Sequence, residues 1–152
     1  MSLRRSLLVT TLGLATLGMP ALAETNPAVE ARQSQFRLFA HNLGALVPMV
    51  QGQMEYDAEA AQTAADNLFH LTRHDQGRMW PEGTDNASID GTRALPAIWE
   101  DLDAFAARFA TLQAAAENLQ GVAGDGLDAL RPAVGQLGGA CAACHNDFRA
   151  ER

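Results

Sequence analysis

The segment LDALRPAVGQLGGACAACHNDF, residues 127–148, decides the fold of this chain. Its apolar side chains recur at alternating spacings of three and four residues, which places them along one face of an α-helix. Two cysteines continue this face, so whatever chemistry they perform would take place against the core. The predicted inward face comprises Leu127, Leu130, Val134, Leu137, Cys141, Cys144 and Phe148.

Three earlier segments show the same period, at about 27–52, 57–76 and 95–119, and a glycine-rich polar loop at 77–93 separates the last two. Asp57 is a good N-cap for the second of them. Four amphipathic helices without a strand pattern predict an all-α fold, an antiparallel up-down-up-down four-helix bundle. The inward face predicted for the first helix comprises Phe36, Phe39, Leu43, Leu46 and Val50.

Residues 1–23 form a separate unit with the features of a secretory signal peptide. Two arginines near the start are followed by an apolar run at 7–17 and by a small-residue site that ends at Ala23. We predict cleavage after Ala23, which leaves a mature domain of residues 24–152. The apolar run is too short and too poorly flanked for a permanent membrane span, so we expect no membrane anchor after cleavage.

The mature chain is acidic. Loss of Arg4 and Arg5 from the eleven basic residues leaves nine against eighteen acidic ones, a formal charge of −9, and lysine is absent. Such a surface disfavours nucleic acid and anionic membranes as partners. A cationic protein partner is compatible with it.

The motif Cys141-Ala-Ala-Cys144-His145 is typical of covalent haem attachment. Each cysteine sulfur adds to one haem vinyl group, and two sulfurs on one helical turn are close enough to reach adjacent vinyls. The following residue, His145, then directs an imidazole at the iron as its axial ligand. We predict one covalently bound haem c at the C-terminal end of the bundle.

Other uses of the two cysteines are weaker. A disulfide between them would strain the helix, and a thioredoxin-like motif requires a βαβ setting that the chain lacks. A structural zinc site needs four ligands. His70 and His74 lie four residues apart on a helix and could face one metal, but such a pair is more often solvated surface.

The other side of the iron follows from bundle geometry. The end of the last helix lies beside the start of the first, so Phe36 should face the open side of the haem. Met49 and Met54 lie about 20–27 Å further along and cannot reach. Met79 in the long loop is the alternative iron ligand, although packing of Met79 and Trp80 over the haem edge is favoured. We therefore expect five-coordinate iron with a vacant, apolar sixth site.

A vacant site beneath Phe36 favours particular ligands. Bound oxygen needs a hydrogen-bond donor, which phenylalanine lacks, whereas binding of nitric oxide and carbon monoxide depends less on such a donor. One turn before Phe36 on the same face, Arg32 could pair with a haem propionate. One turn after the axial histidine, Arg149 could lie over its imidazole. Either arginine could instead be a surface charge.

These residues carry a family resemblance. The chain resembles the bacterial cytochromes c′ over essentially its whole mature length. The matching residues are Arg32-Gln33, Phe36, Gly44, Pro48, Gly52-Gln53, Tyr56, Trp80-Pro-Glu-Gly83, Pro96-Ala-Ile-Trp99 and Cys141-Ala-Ala-Cys144-His145-Asn-Asp-Phe148-Arg149.

The resemblance implies a high-spin, five-coordinate haem whose only protein axial ligand matches His145. It places Phe36 over the vacant face and Arg32 at a propionate. It places Arg149 beside the proximal histidine, where it can influence nitric oxide bound on that side. On this resemblance and the loop geometry, the predicted haem-contacting set also includes Gln33, Met79 and Trp80.

The resemblance also implies a periplasmic location, a homodimer and binding of nitric oxide and carbon monoxide. Our leading hypothesis is a nitric oxide scavenger or carrier that can also exchange electrons. The alternative is an electron-transfer cytochrome, low-spin or high-spin, that serves an unidentified redox partner protein and has no gas-binding role. We expect no enzymatic activity, because peroxidase chemistry needs an acid–base group where the chain has Phe36.

Overall fold

The computed structural model describes residues 26–151, so the predicted signal peptide at 1–23 and its cleavage site lie outside the described residues. Over this range the chain is helical, with one isolated β-bridge and no strand. The helices are α1 (Pro27–Val50), α2 (Ala58–Leu71), α3 (Ala97–Glu100), α4 (Leu102–Val122) and α5 (Leu127–Phe148), and a 3₁₀ turn occupies Gly77–Met79.

The four long helices form a ring. α1 packs against α2 and α5, and α4 packs against the same two helices, whereas the diagonal pairs within residues 26–151 make no close backbone approach. Short connections at 51–57 and 123–126 join α1 to α2 and α4 to α5, which makes these neighbours antiparallel. The predicted all-α, antiparallel four-helix bundle is therefore confirmed.

The N-termini of three helices are capped by side chains, as their sequences favour. Asn26 accepts hydrogen bonds from the backbone N–H groups of the first turn of α1, and Pro27 occupies the first helical position. Asp57 caps α2 and Asp101 caps α4 in the same way. Because Asp101 adopts non-helical φ and ψ angles of −144° and 80°, the predicted single third helix is wrong: it is split into α3 and α4.

α2 ends at Leu71, five residues before the predicted end. Two glutamines from neighbouring helices satisfy its terminal carbonyls: Gln35 Nε2 donates to Leu71 O at 3.1 Å, and Gln113 Nε2 donates to Thr72 O at 2.7 Å. Free carbonyls at a helix end need such partners. The glutamines of α1 and α4 thus stop α2 where the long connection to α3 begins.

The inward face of α1 differs from the predicted one. Phe39 and Leu46 are buried as predicted, but Phe36 is 38 % exposed. The buried face instead includes polar residues, because the helix turns them toward α2 and the long connection, where they find hydrogen-bond partners. These buried polar residues are Arg32, Gln35 and Asn42.

The core consists of two parts. The larger part fills the ring of four long helices, and Cys141 packs at its edge. The smaller part lies between the long connection and the end of α5, and Cys144 packs against it. Among the described residues, no helix is both long and apolar enough to cross a bilayer.

Candidate functional site

The last turns of α5 present two free, half-buried thiols and a half-buried imidazole. Burial raises the pKa of the Cys141 and Cys144 thiols, so both are protonated at neutral pH. Within residues 26–151 no group of three potential metal-ligating side chains comes together, and His70 and His74 are exposed.

The His145 imidazole is held in its neutral form. Burial lowers its pKa, and the positive charges of Arg149 and Arg93 lower it further. A neutral imidazole has a nitrogen lone pair to offer, which is the form that binds iron. The end of α5 therefore supplies the two thiols and the neutral imidazole that covalent haem binding requires.

Phe36 of α1 lies across from this imidazole. The centroids of the Phe36 and His145 rings are 6.4 Å apart at an interplanar angle of 66°, and Phe39 lies 5.9 Å behind Phe36. The structure thus brings together the two residues that the sequence places on opposite faces of the haem. A phenyl ring has no atom that can ligate iron or donate a hydrogen bond.

Arg32 is buried beneath the long connection. Its Nη1 donates to Met79 O at 3.3 Å and to Thr84 Oγ1 at 2.8 Å, and its Nη2 donates to Thr84 O and, at 2.7 Å, to Thr92 Oγ1. Burial lowers its pKa, and Asp85 opposes this shift. Its terminal nitrogens therefore fix the loop, and only Nε–H is left for the predicted propionate contact.

The other predicted haem contacts lie around Arg32. Trp80 packs 4.8 Å beneath the Arg32 guanidinium and 4.8 Å from the ring of Phe105, within the smaller part of the core. Met79 is half-buried, and its carbonyl is held by Arg32. Gln33 Nε2 donates to Gly91 O at 2.7 Å. The sequence did not indicate that these residues also organise the loop itself.

The donor set fits a haem. The indole Nε1 of Trp80 is buried and has no hydrogen-bond partner among the described residues. An unpaired buried donor is costly and calls for an acceptor. A haem would be held covalently by Cys141 and Cys144, and the imidazole of His145 would bind its iron. When bound, it supplies an iron that can change oxidation state.

Two arginines line a cavity of about 610 Å³ beside the imidazole. One is the predicted Arg149, which is exposed, and the other is Arg93, which sequence reasoning missed. Arg93 lies in the long connection, where helical periodicity gives no information about contacts. Its only sequence signal is its place just before the segment that leads into α3. The cavity is lined by Arg93, His145, Asn146, Arg149, Ala150 and Glu151.

Comparison with known proteins settles the family. The family described as Cytochrome C' matches residues 27–149. The cytochrome c' of Cereibacter sphaeroides is 39 % identical over 148 residues, which are 97 % of this chain and 99 % of that protein. The chain belongs to the cytochrome c′ family. It is accordingly a c-type haem protein with one covalently bound haem c, and the resemblance seen in the sequence is confirmed.

Solved cytochromes c′ share the fold. One from Rhodobacter Spheriodes superposes with a TM-score of 0.81 at 42 % identity, covering 82 % of this chain and 96 % of that one. Two variants of the cytochrome c′ of Alcaligenes xylosoxidans, one a nitric oxide complex and one carbon monoxide-bound, give TM-scores of 0.72 and 0.71 at 34 % and 33 % identity. Each covers 82 % of this chain and 94 % of its own.

Proposed function

We propose that this cytochrome c′ is a periplasmic, high-spin, five-coordinate haem protein that binds nitric oxide and carbon monoxide and serves as a nitric oxide scavenger or carrier. The observation that carries the proposal is the Phe36 ring 6.4 Å from the His145 ring. His145 would bind the iron from one side, and Phe36, which would face its other side, has no atom that could ligate it. The sixth position is then left for a small exogenous ligand.

Ligand selectivity follows from the same pair of residues. An apolar wall disfavours water and anions, because neither finds a hydrogen-bond partner there. Oxygen bound to iron becomes polarised and is weakly held without a donor, whereas nitric oxide and carbon monoxide are less dependent on one. The two Alcaligenes xylosoxidans structures, with nitric oxide and carbon monoxide, support these as ligands.

The optical spectrum of the reduced protein tests the proposal. We expect a broad high-spin Soret band that sharpens and shifts when carbon monoxide or nitric oxide is added. Phe36→Met is the matched variant, since it offers a thioether from the same position and should convert the iron to a low-spin form. Sharp low-spin bands in the unmodified protein that do not shift when carbon monoxide is added would contradict the proposal.

An electron carrier is the second candidate, and the position of Met79 favours it. Met79 lies at the end of the 3₁₀ turn, and Arg32 of α1 holds its carbonyl, so its backbone lies beside α1 near the haem-binding end of the bundle. Ligation by Met79 would give a low-spin iron that uses only its redox couple, with a separate protein as redox partner. Met79→Leu would then change the spectrum, whereas the leading proposal expects no change.

Three further expectations belong to the proposal. Export predicts a mature protein that begins at Glu24 in the periplasmic fraction, which N-terminal sequencing would establish. A homodimer should form through α1 and α2, which flank an exposed groove of about 820 Å³, and light scattering would give its mass. No peroxidase activity is expected, because Phe36 offers no acid–base group.

A further inference from the structure

The end of α5 is tied to the chain that precedes α3. The backbone N–H of Leu95 donates to Phe148 O at 3.0 Å, and that of Ala150 donates to Arg93 O at 2.9 Å. Between these bonds, the residue after Phe148 faces Ala94 in an isolated antiparallel bridge. Within the described part of the chain this is the one place where two segments pair as strands do.

The Arg93 side chain adds a second tie at the same point. Its Nε donates to Ala150 O at 2.8 Å, and its Nη2 donates to the same oxygen. Both backbone groups of Ala150 are therefore bound by one residue of the loop. A bidentate guanidinium on a carbonyl fixes direction as well as distance, which a lysine ammonium does not.

Arg149 lies between the two anchored positions. It is the first residue beyond α5, with extended φ and ψ angles of −127° and 124°, and its N–H donates to His145 O at 3.1 Å. Its exposed side chain borders the same cavity as His145, and no carboxylate within residues 26–151 forms a salt bridge with it. What holds this cation beside the imidazole is therefore the fixed backbone on either side of it.

We propose that Arg93 is a positioning residue for the proximal side of the haem. By holding Ala150, it keeps Arg149 beside His145, and so sets how strongly that positive charge acts on the iron. An uncompensated cation near the iron favours the reduced state, which carries one positive charge fewer. A guanidinium that moves freely in solvent acts more weakly. The proposal rests on His145 as the axial ligand.

Charge-conserving variants of the haem-loaded protein test this role. Arg93→Lys keeps the positive charge but loses the pair of hydrogen bonds from Nε and Nη2 to Ala150 O. We expect the Fe(II)/Fe(III) ratio at a fixed potential to fall roughly two- to fivefold. The amide of Ala150 should also lose protection in hydrogen exchange. Arg131→Lys, in the first turns of the same helix and about 20 Å from His145, is the control and should change neither quantity.

A double-mutant cycle separates positioning from a direct charge effect. If Arg93 acts through Arg149, Arg93→Lys should leave the reduction potential of the haem iron unchanged in a protein that also carries Arg149→Gln. Equal shifts in both backgrounds would overturn the proposal, and so would an unchanged potential in the single variant. The iron–histidine vibration of the unmodified protein is recorded first, so that an error in the His145 assignment is distinguished from failure of this inference.

Discussion

Replacing Arg32 with methionine should lower the free energy of unfolding by about 3–5 kcal/mol. The guanidinium donates four hydrogen bonds to the long connection, each with a net value of about 1 kcal/mol, and their loss leaves buried oxygens unpaired. Loss of the contact with the Trp80 ring adds to the cost. Because methionine carries no charge, the variant also avoids the free-energy cost of burying the Arg32 guanidinium, and this offsets part of the loss.

Urea unfolding of the haem-loaded protein, followed by far-UV circular dichroism, measures this loss. Arg37→Met is the matched control, since Arg37 lies on the same helix, is exposed and, within residues 26–151, donates only to Ser34 Oγ. We expect less than about 0.5 kcal/mol for the control. A loss below about 1 kcal/mol for Arg32→Met, or equal losses in both variants, would refute the view that this guanidinium organises the loop.

Three other predictions follow from single contacts. Tyr56→Phe should cost about 1–2 kcal/mol in urea unfolding, because its hydroxyl joins Ala123 O to Gly126 N; a neutral effect would mean that this end of the bundle does not need the link. Phe36→Ala should speed and tighten carbon monoxide binding in stopped-flow measurements by removing bulk over the iron; unchanged kinetics would show that Phe36 is not distal. Hydrogen bonding from Ser88 lowers the pKa of the Asp85 carboxyl from its ordinary 3.8. The ionised carboxylate therefore stabilises the folded protein at neutral pH, and this contribution is lost as the pH falls below that value. The stability difference between the unmodified protein and Asp85→Asn should therefore shrink on acidification, and a constant difference would contradict this.

The part of the fold that sequence predicted best is the part in which apolar residues decide burial. In α5 the regular spacing of Leu130, Val134 and Leu137 puts each of them in the core. The same reasoning placed Phe36 opposite His145, although Phe36 is more exposed than the pattern suggested.

Sequence reasoning was less successful where polar groups decide the structure. Gln35 and Asn42 are buried on α1 because one donates to Leu71 O and the other donates to Leu38 O and accepts from Asn67. A hydrophobic period does not indicate such partners, because they are polar groups on another helix or on the preceding turn of the same helix. Arg93 was missed for the same reason, because its partner is a backbone carbonyl 57 residues further along the chain.

The way in which Arg32 holds the long connection has a consequence for how that segment opens. Its acceptors come from residues 79, 84 and 92, so releasing one guanidinium detaches three separate points of the loop together. Fraying from one side would leave the remaining bonds intact, whereas withdrawal of α1 breaks them all. The amides along 79–92 should therefore exchange with a common opening free energy, as one cooperative unit and not as a gradient.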